Sequence, residues 1–165
     1  MLAKIKNRHR LKRKEIKNIQ YQLEKIFSCN FFNEKSNVET GVIDGIEIIF
    51  IDDEPVFMNY EDRIVFTLNG LIKYKPRENF VVVDMGAVKF VSNGADVMAP
   101  GVVDADKNIC IDDQVWISDE RYRKPLAVGF AIINGEKMLE DKKGKAVKII
   151  HYVGDRLWSL TAKSL

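Results

Sequence analysis

Apolar side chains near the start of the chain recur at the period of a helix. The recurring residues, at spacings of three and four, are Ile16, Ile19, Leu23 and Ile26. Such a stripe is typical of an amphipathic helix that packs one face on a core. The pattern predicts a helix over residues 12–27.

Four β-rich runs follow a polar loop at residues 30–37. They cover residues 38–44, 47–51, 55–59 and 63–68, and turn-forming residues separate them. We expect Asn69-Gly70 to end the last run, and residues 71–74 to form one more strand or a helical turn. A helix followed by a strand meander predicts a small α+β domain. The hydrophilic segment at residues 75–78 contains a proline, so we place a boundary there, between domains 1–78 and 79–165.

The second half alternates short apolar runs with turn signals. Residues 80–84 form a continuous apolar run, and residues 86–93 show helical spacing ended by Asn93-Gly94. The further predicted strands are residues 100–103, 109–111, 114–118, 126–133, 147–152 and 157–160, with one helical turn at 136–142. This many short strands predict a small closed or partly open barrel, so the fold class is α+β.

Composition narrows the class of protein. At 46% hydrophobic and 30% charged, the 165 residues can form a core, and no apolar run approaches the ~18 residues of a membrane span. We therefore expect no membrane partner. Cys29 and Cys110 do not have the spacing of a zinc site or of a disulfide framework, which fits a reducing cytoplasm. We expect both to be small buried side chains.

Charge is distributed unevenly along the chain. Residues 1–17 carry eight basic side chains and one acidic, whereas the rest carries 18 basic and 23 acidic. This asymmetry indicates an anionic partner, nucleic acid ahead of membrane, although a solvated tail is the alternative. Period-two alternation over residues 4–11 favours a strand with four cations on one face, namely Lys4, Lys6, Arg8 and Arg10.

Catalytic and metal-binding patterns are absent from the sequence. Phosphate-loop, nucleophile-elbow and zinc-protease motifs are missing. We expect His9 to make a phosphate or packing contact. His151 lies in an apolar run, so we expect it to be a hydrogen-bonded core residue. The carboxylates at residues 52–54 and 112–113 lie at predicted turns, so we expect turn residues there and not metal ligands or acid–base groups. We therefore expect no catalytic residues, no metal and no cofactor.

A long motif in the second half resembles a known RNA-binding module. Residues 83–102 are V-D-M-G-A-V-K-F-V-S-N-G-A-D-V-M-A-P-G-V, and this segment resembles the signature of the PUA domain, named for pseudouridine synthases and archaeosine transglycosylases. Later segments at 113–117, 125–129 and 144–147 agree, and the resemblance covers residues 79–160. The position before Asp113, often Gly in PUA domains, is Asp112, which we expect to alter only a turn.

The resemblance extends to a narrower family. Residues 151–158, H-Y-V-G-D-R-L-W, are similar to the C-terminus of the MCT-type translation factors, named for the malignant T-cell-amplified sequence. The run at residues 46–49 resembles their pre-PUA domain, so we identify an archaeal-type protein with a pre-PUA domain and a PUA pseudo-barrel. The resemblance implies a cytoplasmic, monomeric RNA-binding protein of translation. Its partners would be tRNA or rRNA, the small ribosomal subunit and a translation-factor protein.

The resemblance and the charge pattern together define the candidate site. The predicted RNA-binding residues are Lys89, Asn93, Gly94, Ala95, Asp96, Lys4, Lys6, Arg8, Arg10 and Arg156. Gly86 and Gly94 would provide sharp turns, and the amides near Gly94 and Ala95 would approach a phosphate or base edge. The apolar neighbours Phe90, Val91, Val97 and Met98 are expected in the core. Trp116 is also expected there, whereas Trp158 could pack or stack on a base.

The sequence is compatible with three functions. The first is a non-catalytic RNA-binding protein of translation that contacts the small ribosomal subunit or a tRNA acceptor end. The second is an accessory subunit of an RNA-modification system, for pseudouridylation or base exchange. The chain holds no catalytic-domain motif beside the PUA resemblance, which disfavours an enzyme. The third is a protein-interaction adaptor without RNA contact.

Overall fold

A computed structural model describes residues 4–162 and shows two β-sheets in sequence order. The first sheet is an antiparallel meander of five strands in chain order. Its strands are β1 (Lys6–Arg10), β2 (Val38–Ile43), β3 (Ile46–Ile51), β4 (Glu54–Tyr60) and β5 (Arg63–Phe66). The sheet agrees with the predicted meander, and β1 is shorter than the expected residues 4–11.

Helix α1 (Arg13–Phe27) covers this sheet with the predicted apolar stripe. Ile19, Leu23 and Phe27 are buried, and the Phe27 ring meets Phe66 of β5 edge-on with centroids 4.9 Å apart. The helix begins where the Lys12 N–H donates to Glu15 at 2.7 Å, which satisfies one of the free amides of the first turn. The spacing of apolar residues was therefore sufficient to define this element.

Asn69-Gly70 does not end a strand, because both residues belong to helix α2 (Leu68–Tyr74). Thr67 begins the helix by accepting a hydrogen bond from the Gly70 N–H at 3.0 Å. A Cβ at Gly70 would lie 2.1 Å from the Val56 carbonyl oxygen. The glycine therefore permits close packing of α2 on β4, a tertiary requirement that resembles a turn signal in sequence.

The second sheet holds six strands in the order β7-β11-β10-β9-β6-β8. They are β6 (Phe80–Val83), β7 (Val97–Met98), β8 (Val102–Ala105), β9 (Gln114–Asp119), β10 (Pro125–Ala131) and β11 (Lys145–Tyr152). Three helices, α3 (Met85–Val91), α4 (Gly135–Glu140) and α5 (Arg156–Thr161), accompany them. Strands β6 and β9 run parallel. The near-barrel sheet confirms the predicted α+β class.

Four predictions are wrong in detail, three about strands of the second half and one about the cysteines. Residues 157–160 lie in helix α5, because Asp155 accepts a hydrogen bond from the Trp158 N–H at 2.7 Å and caps the first turn. Residues 109–111 form a loop that buries Ile109, and Pro100 lies in a 3₁₀ turn ahead of β8. Cys29 and Cys110 are both exposed rather than buried.

Buried polar side chains join the two sheets. Gln114 of β9 accepts a hydrogen bond from the Phe66 N–H at 2.9 Å and donates to the Ile64 carbonyl at 2.8 Å. Arg63 donates to the carbonyl of Asp112 at 2.7 Å, and Asp112 has a left-handed φ of 71°, the conformation that favours Gly at this position. The second half is therefore tied to the edge of β5, and the predicted boundary at 75–78 stays a prediction.

Both tryptophans also contribute to this junction. Trp116 is partly buried and packs against the hydrophobic core that α1 and the first sheet form. Its indole N–H donates to the Glu78 carbonyl at 2.9 Å. Trp158 packs against the same core. The core expectation for Trp116 is confirmed, and of the two alternatives for Trp158 the structure shows packing.

Candidate nucleic-acid interface

An open groove runs between helix α3 and the segment that leads into β7 and the 3₁₀ turn. It encloses about 570 Å³, and its lining includes Gly86, Ala87, Phe90 and Met98. Both small residues and larger apolar side chains belong to the lining. The groove therefore offers an apolar surface that is open to a ligand.

Hydrogen bonds and one glycine fix the two ends of α3. Asp84 begins the helix by accepting from the Ala87 N–H at 2.9 Å. The turn after the helix contains Gly94 at a φ of 91°, as the Asn93-Gly94 signal predicted. A Cβ at Gly94 would also lie 2.7 Å from the Tyr152 ring. Gly94 is thus needed both for its left-handed backbone and for its contact with β11.

The backbone amides of this turn are not available to a ligand. The N–H groups of Asn93 and Ala95 donate to the Phe90 carbonyl at 3.1 and 3.0 Å, and the Gly94 N–H donates to Val91 at 3.0 Å. The expectation that these amides approach a phosphate is therefore wrong, because the turn itself uses them. Polar contacts from this region must come from side chains and carbonyl oxygens.

Two apolar residues expected in the core are instead exposed. Phe90 is 57% exposed and Met98 is 47% exposed, whereas Val91 and Val97 are buried as expected. Phe90 and Met98 both border the groove. Exposed aromatic and methionine side chains beside an open groove indicate a binding surface.

Cations lie beside this apolar surface. The exposed Lys89 Nζ lies 5.1 Å from the centroid of the Phe90 ring. Lys145 also lines the groove, and its Nζ lies 3.1 Å from a carboxylate oxygen of Asp96. The groove therefore presents an aromatic ring and ammonium groups together, the combination that single-stranded nucleic acids need.

Asp96 has a structural role in this region. Its carboxylate accepts from the Ile149 N–H at 3.0 Å as well as from Lys145. These bonds attach the segment before β7 to β11. The structure brings Lys89, Asn93, Gly94, Ala95 and Asp96 together, although Asp96 serves the fold of the site.

The predicted row of four cations on β1 is wrong. A bulge between Lys6 and His9 inserts one extra residue, so Lys6 lies opposite Val42 and Arg10 lies opposite Glu39. Val42 and Glu39 occupy opposite faces of β2, and Lys6 and Arg10 therefore do as well. Lys4 precedes the strand and is exposed. The left-handed φ of Asn7, 54°, marks the bulge.

Arg8 is held within the fold. Its guanidinium donates to Glu39 at 3.1 Å and to Asp53, and it lies 4.4 Å from the centroid of the Phe50 ring. The hydrogen bond to Glu39 raises the pKa of Arg8 and lowers that of Glu39. Arg10 instead lines a groove with Arg13 and Lys17 of α1. In the sequence these α1 cations belong to the basic segment, but no pattern there assigns them to a site.

Arg156 lies at the junction of the two halves. Its Nε donates to Asp44, in the turn between β2 and β3, at 2.7 Å. The side chain is exposed, so the ion pair adds little stability but holds α5 near the first sheet. The structure does not place Arg156 in the groove.

His151 is a hydrogen-bonded core residue, as predicted. Its Nε2 accepts from the Leu68 N–H at 3.1 Å, and its Nδ1 lies 2.6 Å from the Asp155 carboxylate. Burial raises the pKa of Asp155, but hydrogen bonds from His151, Trp158 and Tyr152 outweigh it and leave the pKa below its ordinary value. Within residues 4–162, no three potential ligands group as a metal site would require.

The low pKa of Asp155 predicts an acid-sensitive contribution to stability. A carboxylate whose pKa is lowered in the folded state stabilises the folded protein at pH values above its unfolded pKa, about 3.9. This stabilisation is lost as the pH falls through the pKa of the folded state. Asp155→Asn should therefore lower the free energy of unfolding by about 1 kcal/mol at neutral pH. Urea unfolding of both proteins from pH 7 to pH 3 measures this, and the difference should shrink below pH 4. A difference independent of pH would contradict the ionised role.

None of the helices in the described part of the chain has the length and apolar character needed to cross a bilayer.

Two family models match consecutive parts of the chain. The PUA domain model matches residues 79–153. A model described as a domain of unknown function, DUF1947, matches residues 7–74. The first match contains the groove, and the second contains the meander and α1.

Full-length relatives show the same arrangement. The uncharacterized protein MJ1432 of Methanocaldococcus jannaschii is 47% identical over 157 residues, which are 94% of this chain and 97% of that protein. A crystal structure of a hypothetical protein from Pyrococcus horikoshii superposes with a TM-score of 0.86 at 40% identity, covering 94% of this chain and 99% of that one.

More distant relatives come from eukaryotes. Translation machinery-associated protein 20 of Saccharomyces cerevisiae is 29% identical over 73% of this chain and 70% of its own length. Malignant T-cell-amplified sequence 1 of Rattus norvegicus is 32% identical over 70% of this chain and 65% of its own length. The resemblance to MCT-type proteins is therefore confirmed by similarity through most of the chain.

Proposed function

The chain belongs to the family of proteins that join an N-terminal DUF1947 domain to a C-terminal PUA domain, and from this premise we propose that it is a non-catalytic RNA-binding protein acting in translation. It carries an RNA-binding module and is homologous to proteins named for the translation machinery. We place it in the cytoplasm as a monomer. Its proposed partners are a tRNA acceptor end or rRNA of the small ribosomal subunit, together with a translation-factor protein.

The open groove beside α3 is the observation that carries this proposal. A monomer that exposes Phe90 and Met98 loses the free energy that burial of these side chains would give. That loss is offset when a flat apolar ligand covers them. A nucleobase is such a ligand, and the neighbouring Lys89 supplies the positive charge that its phosphate requires.

The arrangement separates two kinds of contact. Phe90 presents an exposed ring on which a base would stack. Lys89 is next to this ring and Lys145 lines the groove, and both would contact the flanking phosphates. Stacking on an aromatic ring tolerates every base, and lysine contacts to phosphate carry no sequence information. This groove would therefore bind single-stranded RNA with little sequence preference, and a further partner would supply specificity.

The arrangement supplies no chemistry for an RNA-modifying role. The charged side chains that line the groove are Asp84, Asp96 and Lys145. The Asp84 carboxylate accepts from the Ala87 N–H, and the Asp96 carboxylate accepts from Lys145 and from the Ile149 N–H. General acid–base catalysis needs a positioned group that can exchange a proton with the substrate. We therefore favour RNA binding over catalysis of an RNA modification.

Lys89→Glu should weaken RNA binding by about tenfold, because it removes one phosphate contact and adds a repulsive charge. The loss should be similar for RNAs of different sequence, and the slope of log affinity against log salt should fall by about 0.7. Titration of a labelled tRNA at several salt concentrations measures both quantities.

Lys137→Glu is the matched control for this variant. Lys137 is exposed on the short helix α4 and does not line the groove, so the change in net charge is the same. Its affinity should stay within about twofold of the wild type, because a distant exposed charge is screened. Equal losses for both variants, or none for Lys89→Glu with an unchanged melting curve, would contradict the proposed site.

A further inference from the structure

An exposed loop between β9 and β10 carries one aromatic ring among three cations. Tyr122 is 65% exposed, and Arg121, Arg123 and Lys124 are exposed around it. The Lys124 Nζ lies 5.9 Å and the Arg121 Cζ 6.0 Å from the centroid of the Tyr122 ring. Nothing in the sequence distinguishes this segment, because four residues without a known motif resemble an ordinary polar turn.

A buried carboxylate fixes the shape of this loop. Asp119, at the end of β9, is buried and accepts hydrogen bonds from the backbone N–H groups of Tyr122 and Lys124. Burial raises the pKa of Asp119, but these backbone hydrogen bonds outweigh it and lower the pKa below its ordinary value. The carboxylate is therefore charged and holds the loop in place, so Tyr122 projects from an ordered turn.

The topology places this loop beside the groove. Strands β6 and β9 are parallel, with Val83 opposite Asp119, so they end at the same edge of the sheet. From that edge β6 continues into α3, and β9 continues into the loop. Glu120 joins the two, because its N–H donates to the Val83 carbonyl at 2.9 Å and its carboxylate accepts from the Met85 N–H at 3.1 Å.

The charges of the loop favour an anionic ligand. Arg123 lies 4.0 Å from Asp104, at the limit of an ion pair. In the part of the chain that the structure describes, Arg121 and Lys124 form no ion pair. Both cations lie within about 6 Å of the exposed ring, and a positive surface with an aromatic ring is what binds phosphates and bases of a single strand.

We propose that Tyr122 stacks on a base of single-stranded RNA that leaves the groove at its Gly86 end, with Arg121 and Lys124 at the adjacent phosphates. The inference rests on the proposed RNA-binding function and extends its surface past the start of α3. RNA would then occupy two aromatic positions, Phe90 in the groove and Tyr122 on the loop. A strand long enough to reach both would bind more tightly than one confined to the groove.

Affinity for a single-stranded RNA decanucleotide tests this assignment. Tyr122→Ala should weaken binding by about tenfold, because it removes one stacked base. Tyr122→Phe keeps the ring face and should stay within about twofold of the wild type. Combined Arg121→Gln and Lys124→Gln should lower the salt slope by about 1.4, or 0.7 per contact.

Tyr21→Ala is the matched control. Tyr21 is 57% exposed on α1, and the Lys25 Nζ lies 4.7 Å from its ring centroid. The substitution Tyr21→Ala therefore also removes an exposed ring beside a cation. Its affinity for the decanucleotide should equal that of the wild type. Melting curves of all variants should coincide, because an exposed tyrosine contributes little to the core.

The outcomes separate this inference from the proposed function. Unchanged affinity of Tyr122→Ala, while Phe90→Ala weakens binding, would overturn the loop site and leave the groove in place. Equal losses for Tyr122→Ala and Tyr122→Phe would assign the effect to the hydroxyl and overturn stacking. A wild-type protein that binds neither this RNA nor tRNA would overturn both proposals.

Discussion

His151→Phe should lower the free energy of unfolding by about 3 kcal/mol. The substitution removes the acceptor of the Leu68 N–H and one of the hydrogen bonds to the Asp155 carboxylate, and each buried polar group left without a partner costs about 1–3 kcal/mol. Because the bonds join β11 to the start of α2, their loss weakens the contact between the two sheets. Urea unfolding followed by circular dichroism measures the change.

His151→Gln is the informative comparison for this position. The glutamine amide reaches roughly where the imidazole Nε2 lies, so its oxygen can still accept from the Leu68 N–H. We expect it to recover about 1–2 kcal/mol of the loss seen in His151→Phe. Equal stabilities of the wild type and His151→Phe would show that the hydrogen bonds across the junction contribute nothing net.

Gly94→Ala should also destabilise the protein by about 3 kcal/mol. A φ of 91° is costly for alanine, by about 1–2 kcal/mol. The added Cβ would lie 2.7 Å from ring atoms of Tyr152, and relieving such overpacking costs about 1–3 kcal/mol more. The same displacement would move the turn that follows Phe90, so RNA affinity should fall as well.

A second substitution separates the two causes. In a Tyr152→Leu background the ring is gone, so Gly94→Ala should cost only the backbone part, about 1–2 kcal/mol. Thermal unfolding of the two single variants and the double variant gives the coupling between the sites. Additive effects would show that the ring does not limit this position, contrary to the geometry.

The contacts around His151 and Gly94 show how the first half of the chain supports the groove in the second half. Gln114 and His151 hydrogen-bond to backbone groups of β5 and α2, which fixes β9 and β11 against the first sheet. Strand β11 then carries Tyr152 against the turn at Gly94, and its Ile149 N–H donates to the carboxylate of Asp96. The shape of the groove therefore depends on contacts made by both halves.

Local pattern determined most of the elements of this fold. The apolar spacing over α1, the β-rich runs of the meander with turn residues between them, and the Asn93-Gly94 stop were each sufficient, since they depend on neighbours a few residues apart. The long motif at residues 83–102 identified the module, and the apolar surroundings of His151 correctly indicated a core histidine. Residues 157–160 were misassigned because two apolar residues at a spacing of three suit a strand run or a helix, and the cap at Asp155 decided between them.

Only the tertiary structure decided which of these side chains are exposed and which are engaged within the fold. Phe90 and Met98 were expected in the core, but no element within residues 4–162 covers their side of α3 and β7, so they are exposed. One bulge at Asn7 moved Lys6 and Arg10 to opposite faces, and Glu39, distant in sequence, engaged Arg8. Sequence spacing specifies the direction of a side chain along its own element. Burial and partners depend on what packs against that element, and distant segments supply those contacts.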